Sequence, residues 1–566
     1  MAVEKLITDH IDIWSSALQT RSTAGRGSNG KIDLYGIKKL RELILELAVR
    51  GKLVPQDPND EPASELLKRI AAEKAELAKQ GKIKKQKPLP EISEDEKPFE
   101  LPVGWEFCRL GDATINRDAE RIPLSSDIRS VRQGKYDYYG ASGIIDKIDG
   151  FLFDKPLLLI GEDGANLINR TTPIAFIASG KYWVNNHAHV LDGISNGFLR
   201  YVGLYVNSIS LEPYITGTAQ PKMNQAKMNT ILLGLAPEKE QCRILSKVDE
   251  LMSLCEQLEQ RSLTSLDAHQ QLVETLLTTL TDSQNAEELA ENWARISQHF
   301  DTLFTTEASI DALKQTILQL AVMGKLVPQD PNDEPASELL KRIEQEKAQL
   351  VKEGKIKKHP PVEPLGEPAL LPRSWLNIVV QDFADIRLGS TPDRSEKKYW
   401  NGDIPWVSSG EVANEVILDT KEKITSEGFK NSSTSMIPAG SLLMAIIGQG
   451  KTRGQTAILG IDACTNQNVA AFVFNQVFVE PEYVWIWAKS KYLSHRGDGH
   501  GGAQPALNGK KVRSFIFPLA PIKEQQRIVS EVKRFNDICD TLKSRLQSAQ
   551  QTQLYLADAL TDAALN

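Results

Sequence analysis

Six polar side chains crowd two short stretches in the C-terminal half of the chain. AIIGQGKT (Ala445–Thr452) runs into Arg453 and gathers Gln449, Lys451, Thr452 and Arg453, and TNQN (Thr465–Asn468) adds Gln467 and Asn468. The first stretch fits a loose phosphate-loop pattern, with Ala445 where the stricter form has glycine. A phosphate loop needs a strand before it and, after it, a helix whose N-terminal amides face the phosphates. Here RGQTAILGIDA follows, a turn and then a second strand-like run. The loop therefore reads as the tip of a hairpin that contacts DNA. Asn and Gln amides pair bidentately with adenine edges, while Lys and Arg serve guanine or phosphate.

VNNHAHV (Val184–Val190) occupies the corresponding place in the first half of the chain. Read as one strand, it puts His187 and His189 on the same face, as two metal ligands would be. No Cys or carboxylate cluster beside them completes a ligand set, so no metal site is expected. Asn186 and His187 are instead candidates for base contacts. YYGASG (Tyr138–Gly143), GSTP (Gly389–Pro392) and IPWVSSG (Ile404–Gly410) combine glycine with small hydroxyl residues. Glycine permits close backbone approach, and hydroxyls bond phosphates or bases. These stretches contribute Tyr138, Ser142, Ser390, Ser408 and Ser409, with Lys135, Asn166 and Arg394 nearby. Trp105, Trp375 and Trp406 read as core anchors.

Catalytic patterns are missing. There is no [DNS]PP[YFW] motif of an amino-methyltransferase, no PD…(D/E)xK nuclease pairing and no glycine loop for S-adenosylmethionine. The chain is expected to catalyse nothing and to bind no cofactor. Its 566 residues, 41% hydrophobic and 25% charged, suit three or four domains of an ordinary soluble protein. No apolar run is long enough to span a bilayer. Five cysteines, never spaced CxxC, argue against disulfides and zinc and for a reducing cytoplasm. A net charge of −7 means that any nucleic-acid contact rests on local basic surface, with partners supplying much of the positive field.

What must position these residues is a duplicated frame. GKLVPQDPNDEPASELLKRI runs from Gly51 to Ile70 and returns letter for letter from Gly324 to Ile343. A period of about 270 residues is domain-sized, not that of a solenoid. RELILELAV (Arg41–Val49) is echoed by Lys314–Val322, LPVGW (Leu101–Trp105) by LPRSW (Leu371–Trp375), AQPKMN (Ala219–Asn224) by AQPALN (Ala503–Asn508), and LAPEKEQCRI (Leu235–Ile244) by LAPIKEQQRI (Leu519–Ile528). Between these blocks Glu106–Thr218 and Leu376–Gly502 share almost nothing obvious; both are rich in short β runs separated by Gly, Asn, Asp and Ser turns. Apolar spacing predicts helices over Met1–Leu18 and Leu34–Arg50, and a charged one capped by Ser64 and running to Lys79. Thr20–Gly30 reads as a linker. After each insert a long helix carries Ile244, Val248, Leu251, Cys255 and Leu258, or Ile528, Val532, Phe535, Cys539 and Leu542, at alternating steps of four and three. The first helix is expected to continue through Leu272, Leu276 and Leu280, and the two seams to pair as a rigid spacer.

These blocks resemble one family closely, the specificity subunits of type I restriction–modification enzymes. LPxGW before an insert, GSTP…YW.GDIPWVSSG inside it and AQP.LN…LAP..EQ.RI after it carry the likeness, which covers nearly the whole chain; the first insert lacks the GSTP-type opening. The resemblance implies an α/β (α+β) fold with two globular α/β target-recognition domains. Long antiparallel coiled-coil helices would join them in a pseudo-twofold internal duplication. The division would be an N-terminal helix and linker (1–33), a first helical region (34–105), recognition domain one (106–218), a central helical region (219–375), recognition domain two (376–502) and a C-terminal helical region (503–566). It further implies that each domain reads half of a bipartite, asymmetric site in double-stranded DNA. Two methyltransferase and two restriction subunits would join the chain and hold the S-adenosylmethionine, ATP and magnesium. A two-armed scaffold that binds no DNA is the alternative.

Overall fold

A computed structural model of the chain describes residues 3–21, 31–84, 86–217, 220–413, 415–448, 452–497 and 507–565. They form two compact units: Met1–Gln19, Asp33–Leu263 and Gln550–Asn566 make the first, Thr20–Ile32 and Thr264–Ala549 the second. Each unit joins a helical frame to one α/β module.

In unit one the frame starts with helix Tyr35–Val49, which buries Ile37, Leu40, Leu43, Ile44 and Leu47 along one stripe. The helix stops because Gly51 turns left-handed at φ 68°, and its counterpart Gly324 does the same at φ 68°. A Cβ on Gly51 would lie 2.5 Å from Pro102 Cγ, and one on Gly324 2.5 Å from Pro372 Cγ, so the glycines also admit the chain that leads into each module. Helix Ala63–Lys79 follows, burying Ala63, Leu66 and Ile70. Ser64 is not its N-cap: Pro62 holds that place in extended conformation, and the Ala63 N–H donates to Gly104 O at 2.8 Å. Unit two repeats the arrangement with Ala336 and Ser374 O at 2.9 Å. The start of this helix is therefore tied to the module root by backbone, where a side-chain cap was expected.

The N-terminal segment forms two short helices, Val3–Asp9 and Ile11–Ser16, in place of one. The expected linker lies mostly outside the described residues. The long helices are Glu238–Asp282 and Ile522–Leu565, each about 66 Å at 1.5 Å per residue. Their seam is shared by more than two helices. In unit two Ile528, Val532 and Cys539 lie in one apolar cluster with Ile310, Leu313 and Ile317 of helix Glu307–Val322 and with Val273, Leu277 and Leu280 of the first long helix. Leu272 is 51% exposed because a straight helix drifts against a seven-residue repeat, and the buried stripe passes to Val273 and Leu277. Lys52 donates from Nζ to Leu565 O in unit one; Lys325 donates to Thr281 O and Ser283 O in unit two. The same lysine of GKLV thus caps the negative end of a long helix in both units.

The two modules have one topology despite their unlike sequences. Module one has an antiparallel sheet ordered Ile115–Asn116, Ala188–Asp192, Leu157–Gly161, Ala175–Ala178. Module two orders Asp385–Leu388, Val469–Val473, Leu442–Ala445 and Thr456–Leu459 likewise and adds Val416–Ile417 at the edge. Beside each lies a three-stranded sheet centred on Gln133–Gly140 or Trp400–Val407, with one parallel neighbour, Tyr182–Val184 or Cys464–Thr465. A two-stranded ribbon closes each root: Glu106–Arg109 with Leu232–Leu235, and Leu376–Val379 with Ile516–Leu519. Leu157–Gly161 and Leu442–Ala445 are buried along their whole length, which is why they read as unbroken apolar runs. VNNHAHV is two strands, Tyr182–Val184 and Ala188–Asp192, parted by a turn at Asn185–His187. Trp105, Trp375 and Trp406 are core residues.

Because the left-handed backbone and the proline contact coincide at one atom, Gly51→Ala and Gly324→Ala should each destabilise their own unit. The loss should be about 1–3 kcal/mol, the cost of a strained φ. Urea unfolding of the single and double variants measures it, and comparable losses from the two single changes are expected.

Candidate nucleic-acid interface

The two modules present one turn built the same way. In module one Asn185 N–H donates to Tyr139 O at 3.0 Å, and the buried Asn185 side chain accepts from the His187 N–H at 2.8 Å. In module two Asn466 N–H donates to Val407 O at 3.0 Å, and the buried Asn466 side chain accepts from the Asn468 N–H at 3.0 Å. An asparagine that bonds the amide two residues on forms an Asx turn and fixes the backbone of the residues it spans. Those residues, Asn186 and His187 or Gln467 and Asn468, point outward on a rigid pedestal.

Loops from the neighbouring strands meet each pedestal. In module one Glu162 N–H donates to His187 O at 2.8 Å, and His187 Nδ1 lies 2.7 Å from Asp163 Oδ2. In module two the Ile446 N–H donates to Asn468 O at 2.9 Å, which fixes the base of the loop from Ile446 to Gln455. Ser390 N–H donates to Thr465 O at 2.9 Å, and Thr391 Oγ1 donates to Gln467 Oε1. Gly389 lies so close that a Cβ there would fall 1.9 Å from Thr465 O. Strands Leu442–Ala445 and Thr456–Leu459 pair antiparallel, so the stretch expected as a loose phosphate loop is followed by a strand where a phosphate loop needs a helix.

The remaining candidates divide by exposure. Ser142 is exposed in the turn after Gln133–Gly140, and Ala141 O would lie 2.8 Å from a Cβ on Gly161, which brings this turn to the end of the central strand. Lys135 is exposed, its Nζ 5.2 Å from the Tyr136 ring centre. Tyr138 is a correction: it is fully buried, and its hydroxyl accepts from the Leu124 N–H at 3.0 Å, so it supports the module from inside. Its partner in the parallel strand is Trp183, and Trp406 stands in the matching place of module two. Asn166 spends its amide on its own loop, donating to Thr172 O and accepting from Thr171 and Thr172. Ser408 is used similarly, donating to Glu411 Oε2 at 2.8 Å, while Ser409 beside it is half-exposed. Arg394 is exposed but lies 4.0 Å over the Trp400 ring with both terminal nitrogens on Glu422. Thr452 and Arg453 are half-exposed at the hairpin; Gln449 and Lys451 lie outside the described residues.

His189 differs most from its expected place. It is buried on strand Ala188–Asp192, with Nδ1 2.6 Å from Asp118 Oδ2 and Nε2 2.9 Å from Met223 O, so neither ring nitrogen is open to a metal. Burial works against the charge of Asp118, but His189 and Arg121 outweigh it and hold that carboxyl below its usual range. Arg121 goes on to Glu162 Oε2 at 3.0 Å, and Glu162 to Lys222 at 3.3 Å. This chain of charges braces the loops around the first pedestal. Module two has Ala470 in the matching register, which cannot take the place of His189. Also unforeseen are Lys74 and Lys347, half-buried side chains of the frame helices. Lys74 donates to Gly111 O and Thr114 O, and Lys347 to Gln381 O, at a short helix on each module root. Burial lowers the pKa of both ammonium groups.

If the Asx bonds hold the pedestals, Asn185→Ala should speed amide exchange at His187, and Asn466→Ala at Asn468. A change of about tenfold or more corresponds to one hydrogen bond of roughly 1.4 kcal/mol. Exchange rates that do not move would show that the pedestals are held by other contacts.

Known proteins add a direct line of inference. The family model of the type I restriction modification DNA specificity domain matches residues 102–268 and 372–551, one match on each module with its following helix. The EcoEI specificity subunit of Escherichia coli is 49% identical over 603 aligned positions, and the EcoAI specificity subunit of the same species 48% over 617, with all of both chains covered in each case. A crystal structure of the HsdS subunit from Thermoanaerobacter tengcongensis aligns with 83% of this chain and 98% of its own at 15% identity, TM-score 0.40. Duplicated frames, two modules of one topology and full-length identity near one half have a single explanation: the chain belongs to the specificity subunits of type I restriction–modification enzymes.

Proposed function

We infer that this chain is the non-catalytic, sequence-reading subunit of a type I restriction–modification complex, and that each module reads one half of a bipartite, asymmetric site in double-stranded DNA. The observation that carries the inference is the repeated pedestal. Two modules with one topology hold the same Asx turn, yet put Asn186 and His187 outward in one and Gln467 and Asn468 in the other. A fixed mount with interchangeable amides suits base-edge readout in the major groove, and unlike readers on like mounts give unlike half-sites. Ser142, Ser409, Thr452 and Arg453 are assigned to DNA beside these turns, and so, from the sequence, are Gln449 and Lys451. Lys135 and Lys451 are assigned to phosphate.

Methyl transfer to adenine and cleavage of unmodified DNA belong to two modification and two restriction subunits, which bring the S-adenosylmethionine, ATP and magnesium. The purified chain incubated with S-adenosylmethionine and DNA should leave the DNA unmethylated. The setting that fits is the cytoplasm, where DNA and partners are both at hand. All five cysteines are free, and among the described residues no helix is long and apolar enough to cross a membrane.

Methylome sequencing of cells that express the complex reports both half-sites and the spacer. Asn186→Ala with His187→Ala should relax preference within one half-site only, and Gln467→Ala with Asn468→Ala within the other, by roughly 1–3 kcal/mol per lost base contact. Lys451→Ala should weaken all sequences alike and lower the salt slope by about one unit. If the paired changes left the methylated motif untouched, the readers lie elsewhere on the modules. If the complex bound no DNA at all, the two-armed scaffold would be the better description.

A further inference from the structure

Module one carries an exposed apolar pair that its fold does not use. Strand Gln133–Gly140 pairs with the edge strand Gly143–Ile148, with Tyr138 opposite Asp146 and Tyr139 opposite Ile144. Ile145 is left over between those two pairs, so the edge strand bulges at Ile144–Ile145. A bulge re-aims the side chains it carries. Both isoleucines stand open, Ile144 at 54% and Ile145 at 53% exposure. A Cβ on Gly140 would lie 3.0 Å from Ile145 Cγ2, so this side chain rests on a position of the central strand that only glycine leaves bare. Edge strands of soluble proteins are ordinarily guarded by charge, because an apolar edge invites association. Two adjacent branched apolar side chains here are a liability that burial does not offset.

The pair also has a defined place. Across the sheet Ile144, Tyr139 and Val184 stand in register, and the Asn185 N–H that opens the first pedestal donates to Tyr139 O at 3.0 Å. Two strand spacings of about 4.8 Å put the isoleucines roughly 10 Å from the foot of that pedestal. Module two supplies the contrast. Trp406 stands where Tyr138 does, and Glu422 opposite it where Asp146 does. Before Glu422 come Thr420 and Lys421. Thr420 is buried and accepts from the Trp406 N–H at 3.2 Å, while Lys421 is exposed. The same shoulder of the sheet is apolar beside one pedestal and polar beside the other.

We propose that Ile144 and Ile145 read the 5-methyl group of a thymine in the first half-site. This rests on the reading given under Proposed function and adds a reader that works without hydrogen bonds. The amides of the pedestal meet base edges in the major groove. Those edges present donors, acceptors and a single apolar group, the thymine C5-methyl. An isoleucine offers nothing to the donors and acceptors, and nothing to phosphate, so the methyl is the one feature that the pair can distinguish. At about 3.4 Å per base pair, the thymine lies within about three base pairs of the position met by Asn186 or His187. The second half-site carries no matching demand for thymine, because Lys421 occupies that shoulder.

Deoxyuridine is the probe, since it differs from thymidine by that methyl alone and pairs in the same way. The full chain assembled with its modification subunits is titrated with duplexes bearing the motif that methylome sequencing reports. Each thymine of either strand is replaced in turn. One replacement in the first half-site, within about three base pairs of the position relaxed by Asn186→Ala with His187→Ala, should weaken binding about three- to tenfold. Ile144→Ala with Ile145→Ala should lose as much on the thymine duplex and nothing further on the deoxyuridine duplex, so that the two losses do not add. Ile144→Val with Ile145→Val keeps branched methyl groups in place and should retain most of the discrimination. Replacements in the second half-site should cost the unaltered complex and the alanine variant alike. Both side chains are exposed, so thermal unfolding should shift by only a few degrees. A first half-site with no thymine in that range would overturn the proposal, as would an unaltered complex that tolerates every deoxyuridine there, or losses that simply add. An alanine variant that sheds its modification subunits would overturn it too, since the pair would then cover a protein. An unaltered complex that binds no DNA would instead sink the functional reading beneath it.

Discussion

At the root of each module the same atoms meet. Trp105 packs edge-on against Tyr201, and Trp375 against Tyr483, with ring centres 6.4 and 6.1 Å apart. The two tyrosine hydroxyls donate to Gly234 O and Pro518 O, and Gln241 and Gln525 donate to Ala236 O and Ala520 O, each at 2.8 Å. The tyrosines are wholly buried, and burial pushes both phenols well above their usual range, so they remain neutral donors. A buried donor must keep its acceptor or lose roughly 1–3 kcal/mol. That requirement holds helix Asn196–Ser208 in one module, and Pro481–Ser490 in the other, against the ribbon at the root.

Held at the root, the far end of the module is free to vary. The pedestal needs one buried asparagine and two backbone bonds, and neither asks anything of the side chains it exposes. What lies beneath can differ as well: a chain of hydrogen bonds and ion pairs through His189, Asp118, Arg121 and Glu162 braces the first pedestal, and small residues such as Ala470 and Ala471 lie beneath the second. Two supports of opposite character carry turns of the same geometry because the turn is defined locally, by an Asx bond.

The frame was legible because its rules are local or repeated. Duplication marked the glycine stops, the proline turns and the long helices, and the correspondence of VNNHAHV with TNQN followed from their order after similar apolar strands. The common topology of the modules was not legible. Its determinants are sparse and far apart, such as Tyr201–Val202 against Tyr483–Val484 inside otherwise unlike helices. Tyr138 was misplaced because a Tyr-Tyr-Gly run looks like a surface motif, and alternation along a strand decides which tyrosine is buried. His189 was misread through the same parity, since an undetected turn at Asn185 changed the faces of everything after it. Lys74 and Lys347 could not be read at all, because their acceptors belong to a helix formed only when the module folds.

A chain of net charge −7 that reads DNA has an electrostatic consequence. Around the first pedestal Arg121 and Lys222 are each engaged with a carboxylate, and around the second Arg394 is engaged with Glu422. Cations held this way contribute little to general attraction for phosphate, which is what makes DNA binding strong, salt-sensitive and indifferent to sequence. What the outward amides of the pedestals offer is short-range hydrogen bonding, whose value depends on the base opposite. Affinity and discrimination are thus separable at the pedestals, since paired cations add little to the first and directional hydrogen bonds set the second.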